Sequence, residues 1–223
     1  MICLLDLDGT LIDSAERHAA LMLFLLQERY GEPKGFDRET YMRYKADGHS
    51  GKQYLTQVLG LEEAQAAALQ KRWTAQIEAE QYLQKDVLYP DAIPFLQWLE
   101  ACGYQTVYLT ARQDAEALHR ELGRLGISRY AAQVIVADPA DAAKEKISAA
   151  KELRKEDAQM WIVGDTENEF RMARALDVPA WLLYRGFRSR RYWEEKKIES
   201  YADLDAVRRD METLRGARKQ PGV

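Results

Sequence analysis

Short apolar runs, each closed by a small or polar residue, alternate with stretches of helical period along most of this chain. Ile2–Leu7 opens the series as an apolar run carrying one acid; it ends in Asp8-Gly9-Thr10 and so reads as a buried strand entering a turn. Tyr104–Leu109 follows a helix-like stretch, Ile93–Ala101, and a Cys102-Gly103 stop, and it ends at Thr110. Val134–Val136, Met160–Val163 and Ala180–Tyr184 continue the pattern, with helix-like segments at Asp114–Leu125, Ala142–Leu153 and Glu167–Leu176 between strands. Strand and helix in alternation predict an α/β fold, a doubly wound parallel sheet with helices on both faces.

Residues 14–88 break that rhythm. Ala19–Tyr30, Arg38–Lys45, Gln53–Leu59 and the long stretch Leu61–Leu83 are all helical in pattern. A crossover between parallel strands needs only about a dozen residues. An insertion this long between two strands therefore predicts an inserted all-helical cap over the strand ends. The expected division is a catalytic core of residues 1–13 and 89–223 and a cap of 14–88, with a helix-like Tyr201–Arg215 and a polar tail closing the core.

Composition narrows the classes of partner. A chain of 223 residues can bury a substantial core and still carry an insertion. With 36 acidic and 32 basic residues its formal charge is -4, which gives no general electrostatic case for a nucleic-acid partner. Arg185, Arg188, Arg190 and Arg191, interleaved with Tyr184, Phe187, Tyr192 and Trp193, form one dense basic cluster of the kind that can bind nucleic acid. Given the overall charge, the expectation is a solvated, partly packed helix start. Cys3 and Cys102 lie in apolar runs, which suits buried thiols in a reducing compartment better than a disulfide or zinc site. The longest other apolar run, Ala19–Leu26, is far short of the roughly 20 residues a membrane span requires. A cytoplasmic protein without membrane association is expected, and its oligomeric state is left open.

In an open parallel sheet, ligands sit just outside the carboxyl ends of the strands. Here those ends carry Asp6 and Asp8, then Thr110, then Gly164-Asp165-Thr166 with Glu169 one helical turn further on. Asp6 and Asp8 are two apart and leave an extended chain on the same face, beside a glycine that permits a sharp turn. Carboxylates crowded in this way repel unless a cation neutralises them. An oxygen-only ligand set points to a hard ion such as Mg2+, which takes one or two carboxylates and keeps positions for water and a substrate phosphate. No histidine accompanies the acids, which argues against zinc.

Leu5-Asp6-Leu7-Asp8-Gly9-Thr10-Leu11, with Thr110 ending a second strand and Gly164-Asp165-Thr166-Glu167-Asn168-Glu169 ending a fourth, resembles the haloacid dehalogenase-like hydrolase superfamily, in its phosphatase type with a helical cap, over residues 2 to about 185. The resemblance implies a Rossmann-like core and an Mg2+-dependent hydrolase of small phosphomonoesters, phosphoglycolate phosphatase-like. It implies that Asp6 is the nucleophile forming an aspartyl phosphate and that Asp8 is the acid and base. It assigns the metal to a carboxylate oxygen of Asp6, the backbone carbonyl of Asp8 and the acid Asp165, with Glu169 as a further metal-site acid in direct or water-mediated contact. Thr110 takes the transferring phosphoryl group. Ala111 follows it as a substrate-binding candidate, and Arg112, two residues after Thr110, is either a further phosphate ligand or a surface arginine capping the next helix. A motif lysine balances the charge; Lys144, nearer the strand-end loop, is favoured over Lys146. The Lys-Pro pair common in one large branch is absent, and Glu169 stands where many members carry Asp.

Other candidates are less determined. Asp13 and Ser14 suit a helix N-cap. Within the insertion, Asp47-Gly48-His49-Ser50-Gly51-Lys52 is either a turn between helices or a loop reaching over the site, where His49 and Lys52 would meet the leaving group. The same motifs serve a phosphomutase, or a phosphonate hydrolase with a Schiff-base lysine at Lys34, Lys45 or Lys52. Asp8 argues against dehalogenation, which needs no protonated leaving group. A binding protein that keeps the fold without turnover is the alternative from another class. The expected partner is a small phosphorylated metabolite; sugar phosphates, phosphoglycolate and nucleotides all satisfy the motifs.

Overall fold

The computed structural model describes residues 1–154 and 159–218. Strands β1 (Ile2–Leu5), β4 (Gln105–Ala111), β5 (Gln133–Ala137), β6 (Met160–Gly164) and β7 (Ala180–Leu182) form one parallel sheet in the order β5-β4-β1-β6-β7. Alternation within β1 sends Cys3 and Leu5 to one face and Ile2 and Leu4 to the other. The first face packs on α6 (Ala92–Ala101), α7 (Ala115–Arg124) and α11 (Leu204–Arg218), through Phe95, Leu118 and Val207. The second packs on α8 (Ala142–Leu153) and α9 (Glu167–Leu176), through Ala150, Met172 and Leu176. Burial on both faces is why the strands read as continuous apolar runs, and it makes the sheet doubly wound. Leu5 is in register with Tyr108 and with Val163. Asp6, Thr110 and Asp165 therefore leave the sheet at the same edge.

Between β1 and β4 the chain forms α1 (Ala15–Tyr30), α2 (Arg38–Ala46), the short α3 (Gly51–Gln53), a π-helical turn at Tyr54–Val58, α4 (Glu63–Gln76) and α5 (Glu80–Leu83). Leu21, Met22, Leu25 and Leu26 on α1 meet Tyr41, Tyr54, Leu55 and Leu69 in a core separate from that of the sheet. Burying each such side chain contributes roughly 1.5–3 kcal/mol, which is ample to hold a small helical unit. The helices join the sheet domain through an antiparallel ribbon of β2 (Ile12–Asp13) and β3 (Val87–Leu88), too short to show as sequence periodicity. The stretch Leu61–Leu83 is not one helix, because the chain leaves helical geometry between α4 and α5. Asp13, rather than Ser14, caps α1, accepting from the Ala15 N–H. A further helix, α10 (Arg190–Glu195), follows β7, with the Ser189 hydroxyl accepting at its N-terminus.

Candidate active site

Two of the expected acids, Asp6 and Glu169, meet around one lysine, and it is not the favoured one. Lys146 Nζ donates to Asp6 Oδ1 at 2.9 Å and to Glu169 Oε1 at 2.7 Å, all three groups being buried. Lys144 lies exposed on the other side of α8. Helical spacing decides this, since Lys146 shares the buried face with Ala150, one turn on. Burial opposes the charge on Lys146, but Asp6 and Glu169 outweigh it and hold the ammonium above its ordinary pKa. Asp6 is pushed up to about 6 by burial, against the pull of Lys146 and with repulsion from Glu169.

Glu169, expected near the metal in direct or water-mediated contact, is hydrogen-bonded to the protein at both oxygens. Its Oε1 accepts from Lys146, and its Oε2 accepts from the Thr166 N–H and hydroxyl in a capping box that starts α9. Both oxygens are engaged by the protein, so the carboxylate positions Lys146. Asp165 is different. Its Oδ2 accepts from the Phe187 N–H at 2.6 Å, but its buried Oδ1 has no hydrogen-bond partner. Burial, and next the charge of Asp6, raise Asp165 well above the ordinary carboxylate range. Gly9, at φ +76°, and Gly186 lie so close to this carboxylate that a Cβ on either would collide with it. An orphaned buried oxygen beside a second carboxylate fits a hard cation completed by water and phosphate.

The carboxylate of Asp8 turns away from that pair into an ionic cluster that sequence reasoning missed. Arg112 donates to both its oxygens, at 2.7 and 3.1 Å, and Arg17 from the first turn of α1 donates to Oδ1. Arg112 lines the cavity over the site and is bound there to Asp8 and Glu121. Burial would raise the Asp8 carboxyl, but Arg112 and Arg17 bring it below its ordinary pKa. Asp86, fully buried where the cap rejoins the core, lies 3.1 Å from Arg17 Nε without hydrogen-bond alignment and 3.8 Å from Arg112. Two arginines thus face three carboxylates, Asp8, Asp86 and Glu121. Burial, against the pull of Arg17 and with repulsion from Asp8, pushes Asp86 up to about 9, so one proton held there balances the cluster. With its folded pKa above the unfolded value, Asp86 costs stability progressively as pH rises from about 4 towards 9. Asp86→Asn is expected to remove that cost, with a stabilisation that grows as pH rises. Thermal melts at pH 5 and pH 8 check it: the gain in Tm over the native protein should be larger at pH 8.

A cavity of about 290 Å³ lies between cap and core over these groups, with Thr110 and Ala111 in its lining, as expected, and with Arg17, His18, Trp73 and Phe187 besides. The cap closes on it from one side through Glu78, whose carboxylate accepts from the Gln113 and Asp114 N–H groups at 2.8–3.0 Å. On the other side the turn after α2 docks on the core, with the Ser189 N–H donating to the Ala46 carbonyl and the Ser189 hydroxyl to Asp47. Gly48 lies tight against Tyr192. That docking turns His49 and Lys52 away from the site. His49 is exposed and stacks on Tyr44, and Lys52 pairs with Glu63. Lys45, just before that turn, packs instead against His18, Trp73 and Phe187. The basic cluster is paired within the core: Arg185 with Asp91, Arg188 with Glu167, Arg190 with Glu194 and Arg191 with Glu195. Both cysteines are free, and burial raises the Cys3 thiol far above its ordinary pKa. No helix among the described residues is long and apolar enough to cross a membrane.

A doubly wound sheet with an acid pair at the end of its first strand and a helical lid above it defines a hydrolase of the α/β class. The chain belongs to the haloacid dehalogenase-like hydrolases, whose family model matches residues 1–177. No curated protein matches the sequence significantly. Among solved structures, a predicted phosphatase from Clostridium acetobutylicum superposes with a TM-score of 0.72 at 17% identity, over 95% of this chain and 98% of that one. A predicted phosphoglycolate phosphatase from Haemophilus somnus gives 0.67 at 17%, over 94% and 97%. Protein Tyrosine Kinase A of Mycobacterium tuberculosis gives 0.69 at 18%, over 94% and 96%. At these identities the likeness shows the fold, and the activity must come from the site.

Proposed function

We propose that this hydrolase is an Mg2+-dependent phosphatase that cleaves a small phosphomonoester through an aspartyl phosphate on Asp6. The observation that carries the reading is the pairing at one strand edge of Asp6, clamped by Lys146, with an Asp165 oxygen that has no partner. Asp6 and Asp165, with the backbone carbonyl of Asp8, would hold Mg2+, which when bound offsets the negative charge of the phosphoryl group. Lys146 holds Asp6 Oδ1 and leaves Oδ2 to attack phosphorus as the bond to the leaving oxygen breaks. Asp8 gives its proton to that oxygen, then takes one from the water whose attack breaks the bond between phosphorus and Asp6 and releases phosphate. Arg17 and Arg112 keep Asp8 ionised and oriented at rest. The acid half of its cycle therefore requires one of them to turn to the phosphoryl oxygens, so that Asp8 takes up a proton from water before passing it to the leaving oxygen. Thr110, in the lining of the cavity, supplies a hydroxyl to the same oxygens.

The cavity stands at the lower end of the roughly 300–1,000 Å³ of ordinary ligand sites, which favours a compact metabolite over a nucleotide. The test is phosphate release from a panel of small phosphomonoesters with and without Mg2+. Release that needs Mg2+ and stops on chelation is expected. No release from any ester by folded protein with Mg2+ bound would shift the assignment to a mutase, a phosphonate hydrolase or a protein that binds without turnover.

A further inference from the structure

Arg17 and Arg112 both line the cavity and both donate to Asp8, but they are held very differently. Arg112 follows directly on β4, where its backbone N–H donates to the Ala137 carbonyl. Its Nε and Nη2 take both oxygens of Asp8, at 2.7 and 3.1 Å, and Nη2 also reaches Glu121 at 3.1 Å. All of these partners belong to the core, so nothing in the cap moves this side chain.

Arg17 comes from the cap, in the first turn of α1. Among the described residues its guanidinium makes one hydrogen bond, from Nη2 to Asp8 Oδ1. Its Nε is buried without a hydrogen-bond partner, although Asp86 Oδ2 lies 3.1 Å away. Both oxygens of Asp86 are likewise buried and unpartnered. A donor and an acceptor buried side by side but unbonded leave a desolvation cost uncompensated. That cost is recovered if the guanidinium turns until Nε–H meets Asp86, which frees the Nη groups from Asp8.

A phosphoryl group entering the cavity offers them a new partner. Lys146 is shared between Asp6 and Glu169 and Arg112 between Asp8 and Glu121, whereas Arg17 has a single bond to give up. The planar fork of a guanidinium matches phosphoryl oxygens in pairs.

We propose that Arg17 is a catalytic residue that grips the phosphoryl group: it leaves Asp8 when the ester enters, its Nε settles on Asp86, and its Nη groups donate to the phosphoryl oxygens while Arg112 stays on Asp8. This rests on the phosphatase reading and decides which arginine turns. Asp86, where the cap rejoins the core, is then a positioning residue, and the grip exists only with the cap seated.

The test is inhibition by orthovanadate with Mg2+, because vanadate takes the five-coordinate shape of the phosphoryl group in transfer and needs no proton from Asp8. In Arg17→Ala, kcat/KM should fall about 10²- to 10³-fold, as on loss of one donor to a developing oxyanion, and vanadate affinity should fall at least about tenfold with it. Added guanidinium ion should restore part of both. Turnover lost with vanadate affinity unchanged within about twofold would overturn the proposal, since Arg17 would then act on Asp8 alone. Arg112→Lys should weaken vanadate less than Arg17→Lys does; the reverse order would overturn the choice of Arg17. Asp86→Leu, which removes the acceptor, should weaken vanadate about three- to tenfold, and Asp86→Asn, which keeps one, should retain most of the affinity. Equal affinity in Asp86→Leu would overturn the part given to Asp86. Thermal melts check folding, and Arg17→Lys carries the comparison if Arg17→Ala does not fold. If no ester is cleaved the phosphatase reading fails, and calorimetric titration with orthovanadate and Mg2+ still decides: weaker binding by Arg17→Lys supports the grip, and equal affinity, or no binding by the native protein, overturns it.

Discussion

Asp6→Asn should abolish magnesium-dependent phosphate release, by roughly 10⁴-fold or more in kcat, the scale on which removal of a covalent nucleophile acts. The amide keeps the volume of the carboxylate but cannot attack phosphorus. The fold should survive, because Lys146 retains Glu169 as a partner and the substitution removes one of the negative charges crowding Asp165. Single-turnover phosphate release, with circular dichroism as a check on folding, measures this directly. Loss of less than about tenfold would remove Asp6 from the nucleophile role, since no neighbouring group could supply an equivalent attack. Asp8 is tied to two arginines, Glu169 has both oxygens engaged, and Asp165 has Oδ2 on the Phe187 N–H and would commit its free Oδ1 to the metal.

The parts of this site that could be read in the sequence are those carried by backbone periodicity. Strand ends are marked where an apolar run stops, and in a parallel sheet all strands point the same way, so the residues that end them must share an edge. That reasoning brings Asp6, Asp8, Thr110 and Asp165 to one edge. It could have chosen the lysine too, because only Lys146 shares a helix face with Ala150. Position near the strand-end loop was the wrong criterion. A side chain on the solvent face of a helix stays out of a site however close its Cα lies.

What the sequence hid depends on docking between the two units. Arg17 reads as an ordinary charge at the start of a helix, and its burial against Asp8 and Asp86 exists only when the cap sits on the core. His49 and Lys52 read equally as part of an interhelical turn or of a loop reaching over the site. The turn that carries them instead anchors the cap through Ala46, Asp47 and Gly48. Lys45, one helical position before that turn, is the residue left facing inward. The basic run at Arg185–Arg191 shows the converse: its charges are local in sequence, but Arg185 and Arg188 find acids from distant segments.

Lys146→Met should damage both stability and turnover, whereas Lys144→Met should do neither. Removing Lys146 leaves the Asp6 oxygen and Glu169 buried without their shared cation. Breaking a buried ion pair from one side typically costs about 3–5 kcal/mol. At the size of this chain that corresponds to a Tm lower by roughly 6–20 °C. Lys144 is exposed, and its replacement should stay within about 0.5 kcal/mol. A second change separates charge from packing. If the loss comes from uncompensated carboxylates, Lys146→Met with Glu169→Gln should be more stable than Lys146→Met alone, because the amide can still accept from Thr166 and carries no charge. If the loss comes from packing, the double variant should be no better than the single. Turnover should stay low in both, since the group that orients Asp6 and offsets phosphoryl charge is missing from each.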